Sequence, residues 1–358
     1  MKSKKINPRL LGFLLLLLMA AGTGIYYGIT SGNREPVVVE GYVGGEKIGF
    51  IEDPEIQEIL EEKYGIRMDY SKAGSLDMVT LNQEGKDYLF PSSQTALEYY
   101  REEWGEPRKS EIILNTPIVL YTHRMVADAL AEKGIMEEAD GVYYMDMEQM
   151  AQTIMEGTSW AEVGLPQLYG DVSIDTTDPV KSNSGNMFAG LLANALNGGQ
   201  TVSEGQLSQV LPALTDIFAR LGYMETSSAD LFSQFLKMGV GAKPIIVGYE
   251  SQLLEFSVEK PEDFAAIKDD IIMVYPSPTV WSTHVYIALT ENGEMAVQGL
   301  LDPQVQELAW KNHGFRTNVY LAGSEAGTFQ VEGLASDITR VMSMPDYGTM
   351  KQIIDSLQ

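Results

Sequence analysis

The sequence has no cysteine and only three histidines among its 358 residues. Without cysteine there is no disulfide framework, no thiolate-bound zinc or iron–sulfur cluster and no cysteine nucleophile, and the lipid-modified cysteine of bacterial lipoproteins is missing as well. The histidines, His123, His284 and His313, lie far apart and have no partner at the spacing that metal ligation requires. We therefore predict that the protein uses neither a metal ion nor another cofactor.

Basic residues are also scarce, since 25 Lys and Arg stand against 50 Asp and Glu, for a formal net charge of −25. Nucleic acids and anionic membrane surfaces are bound through a basic surface, so we predict no nucleic acid partner. Residues 1–34 are the exception, because they carry five basic residues and no acid, which leaves the remaining 324 residues at −30. The basic residues are Lys2, Lys4, Lys5, Arg9 and Arg34.

Sequence motifs of enzymes are missing too. The chain contains no Gly-x-Ser-x-Gly nucleophile elbow, no phosphate-binding loop and no His-Glu-x-x-His pair. Gly44 and Gly45 follow the first predicted strand, but their spacing is not that of a dinucleotide-binding loop and indicates a tight turn or close approach to a ligand. Pairs of acids such as Asp171 and Asp175 are common in so acidic a chain. We predict no catalytic residue and no enzymatic activity.

The stretch Leu10–Ile29 contains no charged residue and is about long enough to cross a bilayer as a helix. The basic residues before it favour a cytoplasmic amino terminus and an extracellular domain. A cleaved signal peptide, with Met19–Ala21 as the small-residue site, is the alternative. Because Gly22–Tyr27 continues the uncharged run, we favour an uncleaved single-pass anchor in the cell membrane, followed by a linker that ends at residue 36.

From residue 37 onwards the pattern alternates strands and helices. The strand Val37–Tyr42 is rich in β-branched residues, and the helix that follows has Asp53 as its N-cap, Pro54 at its first position and Gly65 at its end. Such alternation predicts an α/β fold with helices packed on mainly parallel sheets. Further predicted strands are Ile66–Tyr70, Ile112–Tyr121, Asp171–Thr176, Pro244–Val247, Ile271–Tyr275 and Val285–Thr290.

The segment 175–185 leads directly into the predicted helix Asn186–Leu196. A helix N-terminus presents unpaired backbone N–H groups and a partial positive charge. An ordinary N-cap would need a single polar side chain, whereas this segment offers three small polar residues and a glycine. We therefore interpret it as a site for an anionic or polar ligand, with the ordinary cap as the alternative. The residues concerned are Ser182, Asn183, Ser184 and Gly185.

These segments resemble a known family. Leu168–Ile174, Thr177–Pro179 and Lys181–Gly185 are similar to the signature of bacterial extracellular solute-binding proteins, which have the periplasmic-binding-protein-like type II fold. The resemblance runs from about Val37 to Gln358 and is nearest to the membrane-anchored Gram-positive members. Further segments that carry it are Phe90–Gln94, Asn115–Val119, Val247–Glu250, Trp281–His284 and His313–Arg316.

The resemblance implies two α/β lobes joined by two crossover strands, with the ligand bound between the lobes. Lobe one would comprise residues 37–115 and 277–358, lobe two residues 116–276, and the crossings would lie near Ile112–Val119 and Val274–Ser282. The implied function is non-catalytic capture of a small polar or anionic solute for a membrane transporter permease of the ABC type. The alternative is a membrane-tethered sensory or adaptor module that uses the same fold to bind a protein partner.

Open α/β sheets bind ligands at the carboxyl ends of their strands, so we expect one cleft to be lined by Gly44, Gly45 and the residues that follow the other strands. Hydroxyls would donate to the ligand, and Tyr249 would pack over it or bond to it. Glu250 would accept a hydrogen bond from the ligand or orient its neighbours. The alternative for Glu250 is an ordinary carboxylate at a helix N-terminus, where the helix dipole favours a negative charge. The candidates after the other strands are Ser92, Ser93, Ser182, Asn183, Ser184, Gly185, Tyr249 and Glu250.

Other charged residues leave two interpretations open. Arg124 and Lys181 could neutralise an anionic ligand, or they could be solvated surface charges. For His284, His313 and Arg316 the sequence favours a structural role over a ligand contact.

Overall fold

A computed structural model of the chain describes residues 35–317 and 329–358. The predicted anchor Leu10–Ile29 lies outside the described residues, as does most of the linker, and none of the helices within the described ranges is long and apolar enough to cross a membrane. The strands are β1 (Val37–Val43), β2 (Ile66–Lys72), β3 (Tyr88–Phe90), β4 (Lys109–His123), β5 (Met136–Ala139), β6 (Val142–Asp146), β7 (Ile245–Tyr249), β8 (Ile271–Ser277) and β9 (Trp281–Ala288).

Helices cover most of the chain between these strands. They are α1 (Ile48–Glu52), α2 (Pro54–Tyr64), α3 (Asp77–Thr80), α4 (Gln94–Trp104), α5 (Arg124–Glu132), α6 (Met147–Met155), α7 (Asn183–Leu196), α8 (Leu207–Leu221), α9 (Ser228–Met238), α10 (Glu250–Glu259), α11 (Pro261–Ile267), α12 (Glu291–Leu300), α13 (Pro303–Lys311) and α14 (Tyr347–Asp355). The mixed α/β class predicted from the sequence is confirmed.

Strand β4 organises the sheet, which has the strand order β2-β1-β3-β9-β4-β8-β6-β5, with β7 also paired to β4. The first part of β4, Lys109–Pro117, pairs with β9, and the last part, Ile118–His123, pairs with β7 and β8. We call β1, β2, β3, β9 and the first part of β4 the first half-sheet. The second half-sheet comprises the last part of β4 with β5, β6, β7 and β8.

Within the described residues, the strands pass between the half-sheets at two places, once within β4 and once in the short connection from β8 to β9. Residues 329–358 again contact the second half-sheet, in whose cores Val331 and Met350 are buried. The lobe boundaries at residues 115/116 and 276/277 stay a prediction, as do the lobes themselves as separate moving units.

The expectation of a mainly parallel sheet was wrong. Pairs β1–β2, β1–β3 and β6–β8 are parallel, whereas β4 is antiparallel to β7, β8 and β9. Buried strands of either kind give the same apolar runs, so the sequence pattern did not distinguish them. The segment 171–176 is also not a strand, because Asp171 and Asp175 make only isolated bridges in the described residues, the second of them to Ile246 of β7.

Local signals explain where helices begin. The carboxylate of Asp53 accepts hydrogen bonds from the backbone N–H of Glu55 at 2.8 Å and of Ile56 at 3.3 Å, and α2 ends at Gly65, whose φ is 64°. The left-handed conformation of Gly65 costs a glycine little, which is why it terminates the helix cleanly. The predicted start and end of this helix are confirmed.

Each half-sheet has a hydrophobic core of its own. In the first, α2 and α12 cover β1 and β9, and side chains such as Val39, Leu60 and Val297 are fully buried. In the second, α7 lies at the centre and contacts α6, α8, α14, β4 and β7. Twelve residues of α7, from Ser184 to Ala195, are buried, so protein surrounds this helix on every side, and most of its side chains are small or apolar. Its N-terminus is therefore held rigidly in place.

Candidate functional site

A cavity of about 550 Å³, here called the main cavity, lies where the two half-sheets face each other. From the first half-sheet it is lined by residues that follow β1 and β2, and from the second by the starts of α7 and α9 and by the end of β7. This is the position that the rule for open α/β sheets predicts. Its principal lining residues are Gly44, Gly45, Glu46, Lys72, Gly74, Ser75, Asp77, Lys181, Ser182, Asn183, Thr226, Ser227, Ser228 and Tyr249.

Hydrogen bonds join residues of the two half-sheets in and beside the main cavity. The side-chain amide of Asn183 at the start of α7 donates to the backbone carbonyl of Ser92 at 3.0 Å, and also to the hydroxyl of Tyr249 at 3.0 Å. The ammonium of Lys72 at the end of β2 donates to Ser227 Oγ at 3.4 Å. Residues of both half-sheets therefore contact each other in and beside the cavity.

The predicted hydroxyls at the start of α7 have different surroundings. Ser182 is the N-cap of α7 and lines the main cavity, yet its side chain makes no capping hydrogen bond and lies 3.2 Å from Ser184 Oγ. Ser184 is buried and its hydroxyl lies 2.8 Å from Thr177 Oγ1. A Cβ atom on Gly185 would lie 2.1 Å from the backbone oxygen of Thr177. Gly185 therefore allows the helix to approach this backbone rather than a ligand.

Ser92 and Ser93 lie outside the main cavity. Ser92 is fully buried, and its hydroxyl accepts from Lys47 Nζ at 2.6 Å and donates to the carboxylate of Glu46. Ser93 is the N-cap of α4, where it accepts from the backbone N–H of Ala96 at 3.2 Å. It lines a second cavity of about 490 Å³, which shares Asn186 with a narrow recess beside the main cavity.

An ion pair lies beneath the floor of the main cavity. Lys47 is fully buried and pairs with Glu46, while His284 Nδ1 lies 3.2 Å from Lys47 Nζ. Burial alone would raise the pKa of Glu46, but the Lys47 ammonium, His284 and the hydrogen bonds from Lys47 and Ser92 lower it to about 2. Burial lowers the pKa of Lys47, which Glu46 partly offsets, and burial together with the Lys47 charge holds the pKa of His284 well below its usual value. His284 thus has a structural environment.

Of the two predicted residues at the end of β7, one lines the main cavity. Tyr249 does so, and burial raises the pKa of its hydroxyl, which keeps it neutral. Glu250 does not, because its carboxylate is fully buried in an ion pair with Arg316 and accepts from the hydroxyl of Tyr275 at 2.5 Å. Glu250 orients buried neighbours instead of facing the cavity.

The two candidate cations also differ. Lys181 lines the main cavity at its edge, with its side chain 60% exposed and its ammonium 3.4 Å from Asp178. Arg124 lies at the start of α5, donates to Glu332 at 2.8 Å and contacts Tyr143, so it takes no part in this cavity.

Sequence reasoning missed several lining residues. Thr226, Ser227 and Ser228 form a polar run before α9 much like the run before α7, so the same signal could have found them. Lys72 and Asp77 follow β2 without a recognisable motif and come to the cavity only through the fold. Burial and the nearby Asp178 raise the pKa of Asp77, while Lys181 partly offsets them.

No protein-family model and no curated protein matches the sequence. Solved structures do match: a substrate-binding protein of an ABC transporter from Agrobacterium tumefaciens has a TM-score of 0.58 at 12% identity, over 92% of this chain and 96% of that one. A periplasmic thiamin-binding protein matches with a TM-score of 0.57 at 11% identity, over 91% of this chain and 96% of that protein. The sulfate-binding protein of Mycobacterium tuberculosis matches with a TM-score of 0.54 at 13% identity, over 89% of this chain and 99% of that protein. At this identity the likeness establishes the fold alone, and the fold that the three proteins share is the one predicted from the sequence.

Proposed function

We propose that the chain is a non-catalytic extracellular receptor that captures a small polar or anionic solute in the main cavity and delivers it to a membrane transporter. The observation that carries this proposal is the cavity itself, which is walled from both half-sheets and lined by hydroxyls, a side-chain amide and the starts of two helices. Its volume falls in the range of about 300–1,000 Å³ that is typical of small-molecule sites. The solved proteins of this fold named above include one that binds thiamin and one that binds sulfate.

The surroundings of the serines favour binding over catalysis. Ser92 and Lys47 are 2.6 Å apart, a spacing at which a lysine could activate a serine, but both are fully buried and neither lines the main cavity. A solute in the cavity would meet Glu46 first, whose carboxylate is engaged by both of them. We therefore assign Lys47 and Ser92 to the support of the cavity floor.

The connections between the half-sheets suit capture by closure. Among the described residues, β4 and the β8–β9 connection link the half-sheets, and hinge motion at such segments would separate the walls that Asn183 and Lys72 hold together. In this proposal the moving units are the predicted lobes, residues 37–115 with 277–358 and residues 116–276. Solute would enter the open form and the same hydrogen bonds would close over it.

Replacing Ser182 and Ser184 together by alanine should abolish solute binding. Ser182 loses its hydroxyl on the cavity wall, and Ser184 loses the hydrogen bond that holds Ser182 against Thr177. The measurement is native mass spectrometry on the full-length chain purified in detergent without added solute, followed by thermal unfolding against oxyanions, amino acids, sugars and organic cations. A solute at 100 times its Kd should stabilise the wild-type protein by about 2.7 kcal/mol, and this gain should vanish in the double variant.

Ser203→Ala is the matched control, since Ser203 also begins a helical turn but lies outside the cavity. Wild-type affinity in the Ser182/Ser184 double variant would remove the α7 site from the proposal. If no compound of any class stabilises the wild-type chain, the receptor function fails and the adaptor module that binds a protein partner takes its place.

We further propose that Leu10–Ile29 anchors the chain in the cell membrane, with the described domain outside. The argument is the sequence alone: an uncharged stretch of this length preceded by four basic residues. Deleting residues 1–34 should move the protein from the membrane fraction to the soluble fraction when cells are fractionated. Retention of the shortened chain in the membrane fraction would contradict a single anchor.

A further inference from the structure

One cation in the main cavity has no acidic partner. In the described part of the chain no carboxylate lies within 4.0 Å of the Lys72 ammonium, whose nearest side-chain contact is the neutral hydroxyl of Ser227 at 3.4 Å. The side chain lies across Gly45, where an added Cβ would be 2.8 Å from Lys72 Cε. Lys72 is thus positioned over the cavity with a charge that a ligand could neutralise.

Two long helices begin at the same cavity with incomplete caps. The 14-residue α7 has Ser182 as its N-cap and the 11-residue α9 has Ser227, and neither serine side chain makes a capping hydrogen bond. The first-turn N–H groups of both helices therefore lack the usual side-chain acceptor, and each helix end carries a partial positive charge. Both features favour an acceptor that is negatively charged.

A buried amide gives a second, independent indication. Asn186 in the first turn of α7 is 4% exposed, and its Nδ2 has no hydrogen-bond partner. It lines the narrow recess that adjoins the main cavity beside Gly74, Ser75 and Ser182. An unpaired buried donor costs free energy, and the recess, of about 10 Å³, has room for a single acceptor atom, which a solute in the adjoining main cavity would supply.

The acidic residues of the cavity limit which anions fit. Glu46 is already paired with Lys47 and adds no net charge, whereas Asp77 faces the cavity near Asp178. The Asp77 carboxylate would repel a ligand that is anionic over its whole surface. A hydroxyl or amine on the ligand would instead donate a hydrogen bond to Asp77. A cavity of about 550 Å³ also exceeds what a bare inorganic oxyanion occupies.

We infer that the solute is an organic anion, a small polyhydroxylated or amino-bearing molecule whose phosphate or carboxylate group is bound by Lys72 and the amino ends of α7 and α9. This inference rests on the proposed function, because it names the class of solute that the receptor captures. The charged group would accept from Lys72 and from the first-turn N–H groups of α7 and α9. A further oxygen of the solute would reach Asn186 in the adjoining recess, and another polar group would donate to Asp77.

The experiment is calorimetric titration of the full-length chain in detergent with glycerol 3-phosphate, glucose 6-phosphate, glycerate, inorganic phosphate and glycerol. We expect at least one organic anion to bind, and inorganic phosphate and glycerol to bind more weakly or not at all. A phosphate ester that binds while glycerate does not would assign a phosphate group, and the reverse would assign a carboxylate. Lys72→Met should weaken the binding roughly ten- to a hundred-fold, as loss of a charge-assisted hydrogen bond does.

Lys109→Met is the matched control, because Lys109 is an exposed lysine of the same half-sheet that does not line the cavity, and it should bind as the wild type does. Unchanged affinity in Lys72→Met would overturn the inference. The inference would also be overturned if the chain bound only neutral or cationic solutes and lost that binding in the Ser182/Ser184 double variant. The proposed receptor function would still stand in that case. A chain that binds no solute of any class would overturn both.

Discussion

Replacing Glu250 by glutamine should lower the free energy of unfolding by about 3–5 kcal/mol, because it leaves the Arg316 guanidinium buried without its counter-charge. The side chains of both residues are at most 1% exposed. The carboxylate accepts from Arg316 Nε at 2.6 Å and from Nη2 at 2.9 Å, a two-point contact that neither water nor an amide replaces fully.

The position of this pair in the fold makes the effect global. The backbone of Arg316 exchanges two hydrogen bonds with Asn115, where β4 passes from one half-sheet to the other. Its guanidinium also donates to the carbonyls of Ala335 at 2.6 Å and Ser336 at 3.1 Å. Because Glu250 begins α10 of the second half-sheet, the pair ties the crossing strand to that helix and to the C-terminal segment.

Chemical denaturation of the Glu250→Gln and Arg316→Met variants measures how far the free energy of unfolding falls. Arg101→Met is the matched control: Arg101 pairs with Glu106 at 3.0 Å, but both side chains are exposed, so the expected change is below about 1 kcal/mol. The Glu250→Gln/Arg316→Met double variant should lose less than the sum of the single losses, because no uncompensated charge is left. A loss below 1 kcal/mol in Glu250→Gln would contradict this account.

The stability that His313 contributes should depend on pH. Its Nε2 lies 2.9 Å from Asp53 Oδ2 and its Nδ1 lies 2.7 Å from Glu255 Oε1, so it joins the start of α2 to α10. Burial alone would lower the pKa of His313, but hydrogen bonds and charges from these two carboxylates outweigh burial and raise it from 6.5 to about 9. The folded protein therefore binds this proton more tightly than the unfolded chain does.

The direction in which stability changes with pH follows from this difference in proton affinity between the folded and unfolded states. Below about pH 6.5 the imidazole is protonated in both states and the stabilisation is complete, at about 3 kcal/mol from the size of the shift. As pH rises through about 9 the folded protein loses the proton and the stabilisation disappears. Burial would raise the pKa of Asp53, but His313, Asn312 and the backbone N–H of Glu55 lower it to about 2, so its titration falls well below this window.

The measurement is the free energy of unfolding of wild type and His313→Gln between pH 6 and pH 10. The difference should be largest near pH 6 and shrink towards pH 10, where the remaining gap reports the lost packing of His313 against Phe50. A difference that stays constant over this range would mean that the histidine acts by packing alone. A difference that grows with pH would reverse the assigned direction of the pKa shift.

Features set by neighbouring residues were predictable from the sequence. The start of α2 at Asp53 and Pro54 and its end at Gly65 depend on side chains within a few positions of each other. Strand direction was not predictable, because it depends on which distant strands meet β4. The length of β4 was also underestimated, since the strand runs from Lys109 to His123 and not only from Ile112 to Tyr121.

Among the candidate site residues, too, those marked by a local pattern were predictable and those placed by distant contacts were not. Ser182, Asn183 and Tyr249 were found because each follows a strand or begins a helix, which places it at the ligand-binding edge of a sheet. Glu250 satisfies the same rule, but its partner Arg316 lies 66 residues away and turns it inward. Lys72 reaches the cavity only because β2 stands at the far edge of the first half-sheet opposite α9, a juxtaposition that no local pattern encodes.

The continuity of β4 has a consequence for how the domain withstands degradation. Each half-sheet has its own core, yet neither can unfold without withdrawing a strand from the other. The halves should therefore melt in one cooperative transition, and cleavage within the buried strands requires both halves to open. A solute that binds the folded domain would then slow proteolysis in both halves, because it lowers the population of the unfolded form.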